Sequence, residues 1–133
     1  MRLACLLLIS SLLTSAPASE GEFVILLSGI PLEVAQGVTL GEPVTDAAGK
    51  GTAGRVCAVQ ILPHREEVYC EKEDALVPVP LPGKADLYLT VRGAFSNKSG
   101  ILHAGTLPLR RGATVYLHLP HLCGEGVLLE VLL

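Results

Sequence analysis

Tryptophan is absent from this chain, and aromatic residues are scarce: two phenylalanines and three tyrosines among 133 residues. Charged residues are also few, at 17% against the roughly one quarter usual in soluble domains. No basic excess exists to neutralise phosphates, since the formal net charge is −3, and this argues against a nucleic-acid partner. With 50% of its residues hydrophobic, the chain also lacks the composition of a disordered protein. There is no apolar run of the roughly 20 residues that a membrane-spanning helix requires. The C-terminal stretch from Val127 to Leu133 is short and holds Glu130, so it does not read as a tail anchor or lipid-anchor signal. No window sustains the i, i+3, i+4, i+7 spacing of an amphipathic helix, and the nine prolines leave little room for helices of average length.

The N-terminus carries a targeting pattern. Arg2 precedes an apolar run from Leu3 to Leu13, and Ala16-Pro17-Ala18 places small residues at the positions a signal peptidase reads. Residues 1–18 are therefore expected to be a cleaved signal peptide, leaving residues 19–133 as one domain that is secreted. Loss of Arg2 makes the remaining chain more acidic by one charge. About 115 residues are enough to bury a normal core.

Turn residues punctuate that remainder every eight to twelve positions, the spacing of an all-β sandwich or barrel. Candidate strands are Phe23–Leu27, Leu32–Val38, Val56–Leu62, Val68–Lys72, Leu87–Val91, Ile101–Leu109, Ala113–Leu119 and Val127–Leu133. The expected fold is an antiparallel β-sandwich of about eight short strands. Gly41–Gly54 reads as mostly loop. Val77-Pro78-Val79-Pro80-Leu81-Pro82 cannot donate fully to a ladder and reads as an edge segment or an extended crossover. Ser96–Gly100 and Arg110–Gly112 are the best-defined turns.

Cys5 falls in the leader, and an odd number of cysteines remains: Cys57, Cys70 and Cys123. A hairpin centred on Pro63-His64-Arg65 would set Cys57 opposite Cys70, Val59 opposite Val68 and Ile61 opposite Glu66, with apolar residues sharing a face. That register predicts a Cys57–Cys70 disulfide, leaving Cys123 free or joined to another chain, as a disulfide-linked dimer or heteromer. The rival pairing is Cys57 with Cys123. Cys123-Gly124-Glu125-Gly126 followed by the apolar Val127–Leu132 resembles the final strands of variable-type immunoglobulin domains. That resemblance implies a Cys57–Cys123 bridge and an immune or cell-surface module. It spans about ten residues, and the chain lacks the Trp and the Tyr two residues before the second cysteine that mark the family.

Catalytic patterns are sparse. No G-x-S-x-G elbow exists, Ser28, Ser96 and Ser99 read as turn residues, and Asp86 and Glu66 stand as isolated candidate acids. Gly49-Lys50-Gly51-Thr52-Ala53-Gly54 fits the glycine pattern of dinucleotide sites, but a β-rich segment follows where a helix is required. His118, His121 and Cys123 offer two imidazoles and a thiol within six positions, an alternative metal-binding or enzymatic site that would need another ligand from elsewhere. Asn97-Lys98-Ser99 is an N-glycosylation acceptor triplet. Glu66, Glu67, Glu71, Glu73 and Asp74 form an acidic cluster, read as a solvated surface or a docking patch for a basic partner. The sequence thus points to a secreted, non-enzymatic binding protein with an extracellular protein partner and no cofactor or metal.

Overall fold

A computed structural model describes residues 19–46 and 51–133; the expected leader, and Gly49 and Lys50 of the glycine-rich segment, lie outside the described residues. The elements run β1 (Ser19–Pro31), α1 (Leu32–Gln36), β2 (Pro43–Asp46), β3 (Thr52–Cys70), β4 (Ala75–Lys98), β5 (Ile101–Ala104), β6 (Leu107–Pro108), β7 (Thr114–Leu119) and β8 (Leu122–Leu132). The protein is all-β and antiparallel, with one five-residue helix among the described residues. Among those residues no helix is long and apolar enough to cross a membrane.

All eight strands belong to a single sheet ordered β1-β8-β7-β2-β3-β4-β5-β6, and an additional β1–β4 pairing closes six of them into a ring. Two separate stacked sheets are not what the hydrogen bonding builds. Sandwiches and closed sheets share the same in–out alternation, so periodicity alone does not separate them. The length of β4 makes closure possible. It pairs with β3 on one edge and with β1 on the other, then continues past the end of the β3 pairing to take β5 through Phe95–Lys98.

Alternation fills the interior. Phe23, Ile25 and Leu27 of β1, Leu87, Leu89 and Val91 of β4, and Val115, Leu117 and Leu119 of β7 all point inward and are buried. Each large side chain so buried contributes about 1.5–3 kcal/mol relative to exposure. Phe23 and Phe95 meet with ring centroids 6.1 Å apart, tilted by 43°. The sheet turns a tight corner where β3 crosses β4. A Cβ on Gly93 would stand 2.1 Å from the Ala53 carbonyl oxygen, so only glycine permits the approach.

Several local expectations change: Gly41–Gly54, expected as mostly loop, holds β2 and the start of β3, and Ile101–Leu109 divides into β5 and β6. Within Leu32–Val38, a strand by sequence pattern, Leu32–Gln36 instead forms α1, seated behind Pro31 with Ala35 buried. Val56–Leu62 and Val68–Cys70 are parts of one strand, β3, which continues through Pro63, while Glu71 and Lys72 fall in the turn that follows. Pro63 is accommodated because the ladder shifts register there, where a missing N–H costs least. The hairpin therefore reverses at Glu71–Asp74, with Cys70 opposite Ala75, and not at Pro63–Arg65. Asp74 takes a left-handed conformation (φ 49°) in that turn, which Asp tolerates better than most residues. The Ser96–Gly100 turn is tighter than the sequence indicated. Lys98 pairs with Ile101 around Ser99 and Gly100, both at positive φ, the signature of a type I′ turn.

The shifted hairpin removes the Cys57–Cys70 disulfide. The two residues lie on the same strand, thirteen positions apart, which at ~3.3 Å per residue is about 43 Å, far beyond the ~7 Å limit for a bridge. Both are free thiols, as is Cys123. The Cys57–Cys123 alternative is not formed either. Cys57 on β3 and Cys123 on β8 are separated by β2 and β7 in the sheet, and both residues are exposed on its outer surface.

Candidate functional site

Beyond the closed sheet, β3 and β4 continue as a two-stranded arm, Arg65–Cys70 paired with Ala75–Pro80. No other strand pairs with these segments among the described residues. Residues opposite one another share a face, so Val68 and Val77 stand on one side of the arm and Tyr69 and Leu76 on the other. Neither side is covered. Val68 is 50% exposed, Tyr69 56% and Leu76 60%, and Val79 is exposed beside them. An isolated two-stranded ribbon is marginal in water, so these aliphatic faces do not stabilise the arm by packing on a core. Tyr69 donates a hydrogen bond to the Asp74 carboxylate across the turn, which pushes the phenol above its ordinary pKa.

The arm is rooted in a row of irregularities across three strands. On β4, four residues from Leu81 to Lys84 face a single β3 residue, His64. On β1, Ser28 and Gly29 together oppose Asp86, a bulge with Gly29 at φ 67°. Asp86 ties the row together. Its Oδ1 accepts from the Ser28 hydroxyl at 2.9 Å, from the Gly29 N–H at 3.1 Å, and lies 2.7 Å from His64 Nδ1. Partial burial pushes the Asp86 carboxyl up, but the bonds from His64, Gly29 and Ser28 outweigh it and hold the carboxyl below its usual range. At the foot of the arm, Leu32, Ile61, Leu62, Pro63, Leu81 and Pro82 line an apolar groove of about 380 Å³.

Ser28, His64 and Asp86 are the residue types of a nucleophilic triad, but their geometry is different. In a relay the imidazole stands between the carboxylate and the hydroxyl, one nitrogen for each. Here Ser28 Oγ lies 3.4 Å from the same Nδ1 that meets Asp86, and its hydrogen is given to the carboxylate. His64 Nε2 instead faces Glu66 Oε1 at 3.5 Å. The cluster satisfies the Gly29 N–H left by the β1 bulge and ties β1, β3 and β4 together at the root of the arm. Sequence reading treats Ser28 as a turn residue and Asp86 as an isolated acid; nothing in linear spacing joins residues 28, 64 and 86.

The other candidate residues are scattered over the surface. His118 and Cys123 are directly opposite one another on β7 and β8, and His121 sits in the turn between them. All three are exposed, and no group of three metal-ligating side chains assembles among the described residues. Cys57 Sγ lies 3.6 Å from Glu22 Oε2; partial burial, with the Glu22 charge and hydrogen bond, raises the thiol pKa. Asn97 is exposed at the β4–β5 turn, with its Oδ1 accepting the Gly100 N–H at 3.0 Å. Of the acidic cluster, Glu66 and Glu67 lie on the arm, and Glu71, Glu73 and Asp74 form or adjoin its turn. Comparison with protein-family models, with curated proteins and with solved structures gives no match for this chain.

Proposed function

We propose that this chain is an exported interaction protein that holds a protein partner on its β3–β4 arm. The observation that carries the reading is the exposure of large apolar side chains, Val68, Tyr69, Leu76 and Val79, on a ribbon covered on neither face. Val68 and Val79 expose one face of the ribbon and Tyr69 and Leu76 the other, and uncovered apolar side chains grouped in this way are what interaction sites present. The closed sheet supplies a stiff mount, and the Asp86 cluster fixes the angle at which the arm leaves it. In this reading the leader is removed after Ala18, the domain acts outside the cell, and Asn97 carries a glycan on the turn remote in sequence from the arm. The exposed Cys123 thiol is available to link the chain covalently to another.

Site-specific photocrosslinking tests this directly. A photoreactive group at Tyr69 should capture a partner from the extracellular fraction of the native source, whereas the same group at Tyr116, equally exposed at 58% but on the wall of the closed sheet, should not. The paired Tyr69→Ser, Leu76→Ser variant should keep its strand content and lose capture. Equal capture from the two positions, or capture undiminished in the paired variant, would refute the assignment.

A further inference from the structure

The two edges of the arm are not equivalent. The β3–β4 ladder runs unbroken through Pro78 opposite Glu67 and Pro80 opposite Arg65. Proline has no N–H, so a continuous antiparallel ladder requires both prolines at positions that do not exchange hydrogen bonds with β3. Their ring nitrogens therefore face away from β3, and the outer edge of β4 lacks donors at alternate positions. That edge is closed to an added strand.

The outer edge of β3 is the reverse case. By the same alternation, Arg65, Glu67 and Tyr69 turn their N–H and C=O groups outward. The pairing of β2 with β3 ends at Arg55, and among the described residues no strand covers β3 from Cys57 to Cys70. This edge has a definite charge. Glu66, Glu67, Glu71, Glu73 and Asp74 outnumber Arg65 and Lys72 along the arm and its turn. Among the described residues the ion pairs made by this group reduce to that between Glu66 and His64.

Resting on the assignment of the arm as the interaction site, we infer that the partner contributes an extended, basic segment that adds as a further strand to the outer edge of β3. Main-chain bonds to Arg65, Glu67 and Tyr69 would hold it, and its cationic side chains would pair with the acidic residues beside the edge. A second copy of this chain is the wrong occupant by charge, because edge-to-edge self-pairing brings two acidic arms together.

The test uses end-blocked octapeptides with the full chain. The first alternates Lys and Val, the second alternates Glu and Val, and the third is the Lys–Val peptide N-methylated at every residue so that neither edge has donors. Amide hydrogen exchange is read residue by residue in low salt. The Lys–Val peptide should slow exchange at Arg65, Glu67 and Tyr69 by about tenfold or more at saturation, with the Val68 amide, already in the ladder, changing less. The Glu–Val and N-methylated peptides should leave the three amides unprotected, and a Glu66→Lys, Glu67→Lys chain should lose its preference for the basic peptide. No protection by the Lys–Val peptide, equal protection by the acidic one, or concentration-dependent protection without any peptide would each overturn the inference; the last would make a second copy the occupant. Failure here together with crosslinking at Tyr69 would leave the arm as the interaction site and remove only strand addition. Protection that persists in the Tyr69→Ser, Leu76→Ser chain, with no crosslink at Tyr69, would do the opposite.

Discussion

Replacing Asp86 tests whether the root of the arm is held as the geometry indicates. One oxygen of this carboxylate accepts from Ser28 Oγ and Gly29 N at 2.9 and 3.1 Å and meets His64 Nδ1 at 2.7 Å. The Asp86 side chain is 22% exposed and that of His64 18%, so water replaces the lost partners only in part. Hydrogen bonds to a charged group are worth about 1.5–3 kcal/mol each, but three that share one oxygen do not add. Asp86→Ala should therefore destabilise the chain by about 2–4 kcal/mol, lowering the thermal midpoint by on the order of 10–20 °C. The loss should be acid-dependent in a definite direction. Because the folded state holds this carboxyl below its usual range, its contribution is complete above the unfolded value of about 3.9 and disappears as the pH falls through the lower folded value. Denaturant unfolding of the wild type and of Asp86→Asn should show their full difference near pH 6, and the two curves should begin to approach one another only below about pH 4, converging below the lower folded value. A stability difference independent of pH between 6 and 3, or a loss of under about 0.5 kcal/mol in Asp86→Ala, would refute the role assigned to this carboxylate.

Two further substitutions probe other parts of the account. Gly93→Ala should cost about 3 kcal/mol or more by denaturant unfolding, because the added methyl would stand 2.1 Å from the Ala53 carbonyl oxygen and force β3 and β4 apart; a neutral effect would mean the corner is not as close as described. Glu22→Gln should speed alkylation of Cys57 near pH 8, since removing the neighbouring charge lowers the thiol pKa and raises the thiolate fraction, and mass spectrometry of timed iodoacetamide reactions measures it.

Most of the sheet was legible in the sequence because burial on one face imposes a two-residue period. Phe23, Ile25 and Leu27, or Val115, Leu117 and Leu119, reveal their strands without any knowledge of neighbours. Closure of the sheet was not legible, because it depends on β4 pairing with β1 and β3 at once, a fact of three-dimensional register. The sequence pattern misplaces the hairpin for an identifiable reason. Pro63 resembles a strand terminator, and the register it suggested matched Cys57 to Cys70 on an apolar face. The competing signal was the charged Glu71–Asp74 turn together with the alternating prolines of β4, all of which fit a ladder with Cys70 opposite Ala75. The Ser28–His64–Asp86 cluster had no sequence signal, since two bulges in different strands must align before its members meet. The run of acidic residues around the hairpin reads in the sequence as a solvated surface or a docking patch for a basic partner; their placement beside one open strand edge gives the second reading its geometry.

The continuity of β3 through Pro63 underlies the arm, its free edge and the absence of the expected bridge, and the distance between Cys57 and Cys70 measures it. With Cys5→Ser and Cys123→Ser to leave two native thiols, spin labels on Cys57 and Cys70 should give a dipolar distance of about 40 Å. A spontaneous disulfide between them, or labels within about 15 Å, would place the reversal at Pro63–Arg65 and contradict the account.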